Sequence, residues 1–388
     1  MNAALAPPTG ALAPLVRRAY TCQCGKPVFF PNSQCLACGT PLGYEPERGR
    51  LWPLKPTPWP GLWRAWPDAS GQGPLLARCT NLQGPAACNW LVRQDDPVAG
   101  RGLCRACRLN RTIPSLDDPA HPDNGELWGR MEQAKRRLVS ALLALGLPVA
   151  SRLSEDPQQG LMFDLLRPLP GEAVSTGHDQ GLITLNLEEA DDARREAARQ
   201  RLDEPYRTLL GHFRHEAGHY YWQRLVAGTG WMPGFHALFG DETQDYAQAL
   251  ARHYRDGPPP DWRLGHVSAY ASSHPWEDWA ETWAHYLHMR DTVDTALSFG
   301  LSPEALQLAD FSPFPPTVLA EPDHPQALAL LAFVNAWTRL TTLLNELSRA
   351  MGQPDFYPFV LPGRVVAKLQ FIDRVVQSCA ATRDHQDA

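Results

Sequence analysis

No run of eighteen or more apolar residues occurs in this chain of 388 residues, so a membrane-spanning helix is not expected. No basic segment precedes the apolar residues of the first fifteen positions. The first cations, Arg17 and Arg18, come after them, which is the wrong order for a secretory signal. Residues 1–19 therefore read as a loose Ala/Pro-rich tail on a cytoplasmic protein. A large excess of charge is also lacking. The formal net charge of -6 is mild at this length, and no Arg/Lys–aromatic stripe is seen, so a nucleic-acid partner is not expected. Internal repeats are absent as well.

The chain is rich in other things. Its length favours two or three units, and a hydrophobic content of 44% supports a sizeable core. Thirty-seven prolines and thirteen tryptophans are unevenly placed. Many crowd between Leu51 and Pro74, where Pro53, Pro56, Pro58, Pro60 and Pro67 accompany Trp52, Trp59, Trp63 and Trp66. Prolines at that density remove backbone donors, so residues 49–75 read as an extended linker pressed by its tryptophans against a neighbouring domain.

Eight of the nine cysteines lie between positions 22 and 107. Clustered thiols in a chain with no secretion signal read as metal sites rather than disulfides. Cys22 and Cys24, then Cys35 and Cys38, each pair followed by glycine, fit a zinc ribbon over residues 20–48. The first turn is Cys-x-Cys, one residue shorter than the usual knuckle. Cys79, Cys88, Cys104 and Cys107 form a second set within residues 76–112, and only its second half has knuckle spacing. Four thiolates close a tetrahedral site, so both zinc ions would be structural and would supply the stability such small segments lack. These modules speak for scaffolding or for binding a protein partner. Cys379 stands apart and reads as an inert, half-buried thiol.

Residues 124–388 have the pattern of a mainly helical globular domain. Helices are expected over 126–145, 188–202, from Pro205 to about 227, 326–351 and 364–382, with strands over 161–166 and 181–187. The overall expectation is an α+β chain, a helical domain with a small sheet, preceded by cysteine modules.

The segment Gly211-His-Phe-Arg-His215-Glu216-Ala-Gly-His219-Tyr-Tyr-Trp222 carries the strongest chemical signal. On a helix His215 and His219 share one face, where both imidazoles reach a single metal. Glu216 lies about a hundred degrees round, beside an open coordination position, and can serve as a base toward a metal-activated water. Gly218 leaves room for a neighbouring segment, and His212 sits one turn before His215. A third protein ligand is needed. It is sought in the segment from His274 to His285, where Pro275 can open a helix and Glu277, Glu281, His285 and His288 form a polar stripe beside Trp279 and Trp283. His178 is placed to line the cleft, ahead of the 182–187 strand.

The His-Glu-x-Gly-His helix followed by Glu277-x-x-Ala280 resembles the gluzincin class of zincin metallopeptidases. Over nearly its full length the chain is similar to the bacterial zinc-ribbon, zinc-binding metallopeptidase family. The resemblance implies that Glu277 is the third zinc ligand, with Glu281 as the alternative. It also implies that Tyr270, seven residues upstream of Glu277, polarises the substrate carbonyl, and that the 182–187 strand is the edge on which an extended substrate pairs. Tyr246 and Tyr254 are the competing donors. The expected activity is hydrolysis of a peptide or isopeptide bond in a peptide or protein substrate, with one catalytic and two structural zinc ions. The alternative is a zinc-ribbon adaptor whose zincin domain binds a partner but is catalytically silent. An intact Glu216 favours the hydrolase, since a silent domain has little reason to keep that base.

Overall fold

The computed structural model describes residues 12–67, 73–98, 100, 102–201, 204–306, 308 and 311–384. Most of the expected tail, the 68–72 part of the expected linker and the last four residues of the expected helical domain lie outside the described residues. The fold is α+β, and the chain packs as two compact units. One runs from Ala19 to Met232 with the residues from Val376 onward; the other holds Arg18 and the residues before it, with Pro233–Val375.

The first unit opens with β1 (Tyr20–Thr21) and β2 (Pro27–Val28), a hairpin between cysteines. Next comes a five-stranded antiparallel meander: β3 (Leu42–Glu45), β4 (Arg50–Pro56), β5 (Leu62–Ala65), β6 (Leu76–Arg78) and β7 (Leu91–Arg93). The expected linker is thus two strands of this sheet. The prolines fit because they sit where no amide donor is required. Pro53 has no N–H, yet its carbonyl accepts from the Trp66 amide at 2.9 Å. Pro58 and Pro60 lie in the turn between β4 and β5, which Thr57 closes by bonds from its amide and hydroxyl to the Leu62 carbonyl. Leu54, Leu76 and Leu91 form the buried core, against which Trp52 and Trp63 pack.

The cysteine modules run without a break into the next sheet. β8 (Asn110–Thr112), directly after Cys107, pairs with β9 (Met162–Leu166), and β9 with β11 (Leu182–Asn186), both in parallel. β10 (Gly177–Asp179) completes the order β10-β11-β9-β8. The strand expected at the edge is therefore interior, and β10 takes the edge. The cause is local: Gln180 and Gly181, with φ of 47° and 85°, fold β10 back on β11 as a tight hairpin.

α1 (Asn124–Ala144) buries Leu127, Trp128, Met131, Leu138, Val139 and Leu142, a helical stripe. Gly146, at φ 71°, ends it: its amide reaches Leu143 and that of Leu147 reaches Leu142. The helix expected over 188–202 divides into a 3₁₀ turn, Leu187–Ala190, and α2 (Asp192–Arg201). The Asp191 carboxylate accepts the amides of Ala193 and Arg194 and so starts α2 afresh. Similarly, α3 (Leu209–Leu225) begins not at Pro205 but after Thr208, whose hydroxyl accepts from the Gly211 amide at 3.0 Å.

The second unit holds α4 (Met232–Leu238) from Pro233 onward, α5 (Tyr246–Asp256), α6 (Pro275–Ser298), α7 (Ala327–Ala350) and α8 (Gly363–Asp384) as far as Val375. α6 starts as expected at Pro275, with the His274 side chain accepting from the Trp276 amide. Trp279 and Trp283 stack at 5.7 Å and, with Phe235, Phe239 and Phe371, make the aromatic core. Lys368 on α8 donates to the buried Asp278 on α6. Residues 15–18 are not loose: the Leu15 and Val16 amides donate to Asp294, and Arg18 pairs with Asp291 at 2.8 Å. α7 is long and apolar enough to cross a membrane by length and composition alone, but half of that stretch is buried within the protein.

Candidate metal centres

Each cysteine set is gathered into one cluster. Within Cys22, Cys24, Cys35 and Cys38 the sulfurs lie within 4.8 Å of one another, and so do those of Cys79, Cys88, Cys104 and Cys107. Closest approaches are 3.6 Å for Cys22–Cys38, 3.8 Å for Cys24–Cys35 and 3.6 Å for Cys88–Cys104. Those spacings are too long for a disulfide bond and match the edges, about 3.8 Å, of a tetrahedron with ~2.3 Å zinc–sulfur bonds. The short Cys-x-Cys turn does not prevent closure. Thr40, by its hydroxyl and amide, brings the Cys38 thiol down to about 6, while burial pushes Cys22 up to about 12. The second cluster is wholly buried and anchored to α1, where the Cys107 sulfur lies 3.7 Å from Glu132 Oε2 and Lys135 pairs with the same carboxylate at 2.6 Å.

In the same unit α3 presents His215 and His219. Their Nε2 atoms are 3.2 Å apart and their rings are nearly perpendicular, at 79°. Two imidazole nitrogens at about 2.0–2.1 Å from a tetrahedral zinc would be about 3.3 Å apart, so the pair fits one ion. The helix holds this face rigidly. Phe213 packs on Phe163 of β9, the Tyr221 hydroxyl donates to the Pro148 carbonyl, and that of Tyr220 to Gln159. Glu216 and His219 are buried, whereas His215 is half-buried. His212 Nδ1 stands 3.5 Å from a carboxylate oxygen of Glu189.

His178, on edge strand β10, accepts the Gly181 amide at Nε2 and meets the Tyr220 ring edge-on at 6.1 Å. Burial, and then the nearby charge of His219, push its pKa down to about 3, so it is a neutral imidazole.

In the second unit α6 carries the expected stripe, and it is not a solvated face. Glu277 is 1% exposed, and His285 and His288 are buried. Glu277 Oε1 accepts the Tyr246 hydroxyl at 2.6 Å, while Glu281 is half-buried and accepts from Ser268 at 2.7 Å. His285 instead bonds Tyr357 and lies in a ring cluster with Phe359. Tyr270 precedes α6 in a 3₁₀ turn, edge-on to His253 at 6.0 Å. Burial, and then the charge of Glu277, push its hydroxyl far above the ordinary range, which keeps it a proton donor. Tyr254 is well exposed. The Tyr246–Glu277 bond carries no sequence signal, because the two lie 31 positions apart in no fixed motif.

Residues 19–118 match the model of a zinc-ribbon domain, and residues 124–375 match that of a family described as "Putative zinc-binding metallo-peptidase". Uncharacterized proteins of Mycobacterium bovis and Mycobacterium tuberculosis are each 45% identical over 361 residues, covering 92% of this chain and 94% of theirs. No solved structure matches. The chain belongs to this zinc-binding metallopeptidase family and carries an N-terminal zinc ribbon.

Proposed function

We propose that this chain is a zinc-dependent peptidase hydrolysing a peptide or isopeptide bond, with His215, His219 and Glu277 as the ligands of a catalytic zinc and Glu216 as general base. One observation carries the reading: the 3.2 Å approach of the two ligand nitrogens on a rigid helix, with Glu216 beside them in the chain. Zinc, when bound, would supply Lewis acidity toward a water and the scissile carbonyl. Glu216 takes the proton of the attacking water and returns it to the departing nitrogen. The charge of Glu277, held in a buried site where opposite charges attract strongly, would partly neutralise the ion. Tyr270 donates to the developing oxyanion, a role its firmly held proton supports. An extended peptide or protein segment would pair along β10, whose edge position makes it the available strand.

Three zinc ions per chain are expected on this reading, one catalytic and two structural. The ribbon would also serve to engage a protein partner, and its unoxidised thiol clusters suit the cytoplasm. The test is cleavage of a diverse peptide library by the purified metal-replete chain, with and without chelator, beside the Glu216→Gln variant. Chelator-sensitive cleavage that Glu216→Gln lacks is expected. No cleavage by the metal-replete chain, or equal cleavage by the variant, sinks the proposal.

A further inference from the structure

The hydroxyl of Tyr246 is 2.6 Å from Oε1 of Glu277. A phenol at that distance from a buried carboxylate makes a short, charge-assisted bond, among the stronger kinds a neutral donor can make. The bond is well supported on the tyrosine side. Tyr246 is the first residue of α5, which Asp245 caps by accepting the Gln248 amide. Its ring meets His274 edge-on at 5.2 Å and Trp276 at 5.8 Å. His274 in turn caps α6 and lies 3.2 Å from the Gln244 carbonyl. The start of α5 and the start of α6 are therefore locked together around a single carboxylate. Elsewhere α5 is largely exposed, with Ala249 its only buried residue. The helix thus adds little to the core, and its most specific contact is the one with Glu277.

We infer that Tyr246 is a positioning residue for the catalytic metal, holding Oε1 of Glu277 so that the other carboxylate oxygen is presented in one orientation. The inference rests on the proposal that Glu277 is a ligand. It removes Tyr246 from the competition for the oxyanion role, because its proton is already committed to Glu277. The physical reason is general: a carboxylate ligand left to rotate spends part of its time in unproductive orientations, and partners that fix such ligands typically affect metal affinity by about 10- to 100-fold.

The experiment is a competition titration of zinc against a chromophoric chelator, at a concentration that leaves the two cysteine sites filled. Tyr246→Phe keeps the ring contacts and removes only the hydroxyl. It should weaken the third zinc about 10- to 100-fold and alter the visible spectrum of cobalt placed at that site. Tyr254→Phe, on the same helix and exposed, should change neither. Wild-type affinity and spectrum in Tyr246→Phe, or tighter binding, would overturn the inference, the latter showing that the hydroxyl competes with the metal. Equal weakening by Tyr254→Phe would also overturn it, by showing a helix-wide effect. Glu277→Ala separates the two levels. If it retains the third zinc, the ligand assignment itself fails; if it loses that zinc while Tyr246→Phe does not, only the positioning role falls.

Discussion

Nε2 of His215 and Nε2 of His219 face each other at 3.2 Å across one turn of α3, both turned to the same side. The four-residue spacing supplies the shared face, and the buried contacts of Phe213, Tyr220 and Tyr221 fix how that face is turned. That spacing is the one two imidazole ligands of a single tetrahedral zinc would have.

Metal content is the most direct consequence. Elemental analysis of chain purified without chelator should give three zinc ions, and His215→Ala should give two. Replacing Cys104 by Ser should remove one structural ion. It should also lower the unfolding temperature sharply, since that cluster is buried and tied through Glu132 to α1. A wild-type count of two, unchanged by His215→Ala, would remove the catalytic ion.

Glu277 and Glu281 should separate in a metal titration. Loss of Glu277, buried and bonded to Tyr246, is expected to abolish tight binding of the third zinc. Glu281→Ala, which breaks the bond from Ser268, should weaken it by about 10- to 100-fold. The reverse order transfers the ligand role to Glu281.

Tyr270→Phe should retain metal and lose about 100- to 1,000-fold in kcat, with little change in KM, because an oxyanion donor acts mainly in the transition state. Steady-state kinetics on a substrate that Glu216→Gln cannot cleave provide the check. Full activity would remove the donor role from Tyr270.

Stability should depend on pH through Asp294. Burial raises its carboxyl from 3.8 to about 6, against the Leu15 and Val16 amides that favour the charged form. A folded-state value above the unfolded one means that the group's contribution is complete below about pH 4 and is lost as pH rises through about 6. At ~1.4 kcal/mol per tenfold, the loss is at most ~3 kcal/mol. Asp294→Asn should therefore match wild type near pH 4 and become the more stable protein by pH 7. Denaturant unfolding at both pH values measures this, and a stability difference that does not vary with pH would rule it out.

The cysteine clusters and the facing histidines were legible because they are written in short spacings. Helical geometry alone puts residues four apart on one face, and paired cysteine turns need only local backbone freedom at the following glycines. Most helices were legible for a related reason: α1, α6, α7 and α8 carry long apolar stripes and clear starts or stops. The starts of α2 and α3 were misplaced, because Asp191 and Thr208 compete with nearby residues as caps and only the formed helix shows which side chain reaches the free amides.

What the sequence by itself determined is which donor groups stand close along the chain: two sets of four thiols, a His-Glu-x-x-His helix, and an acidic helix among tryptophans. Tertiary structure decided the rest. It turned a proline-rich stretch into two strands, because only the sheet shows which backbone positions need no donor. It moved the edge from β11 to β10, since strand order depends on pairing between distant segments. And it brought Tyr246 to Glu277 across 31 positions, a contact that comes from the packing of α5 beside the start of α6 and not from any local pattern.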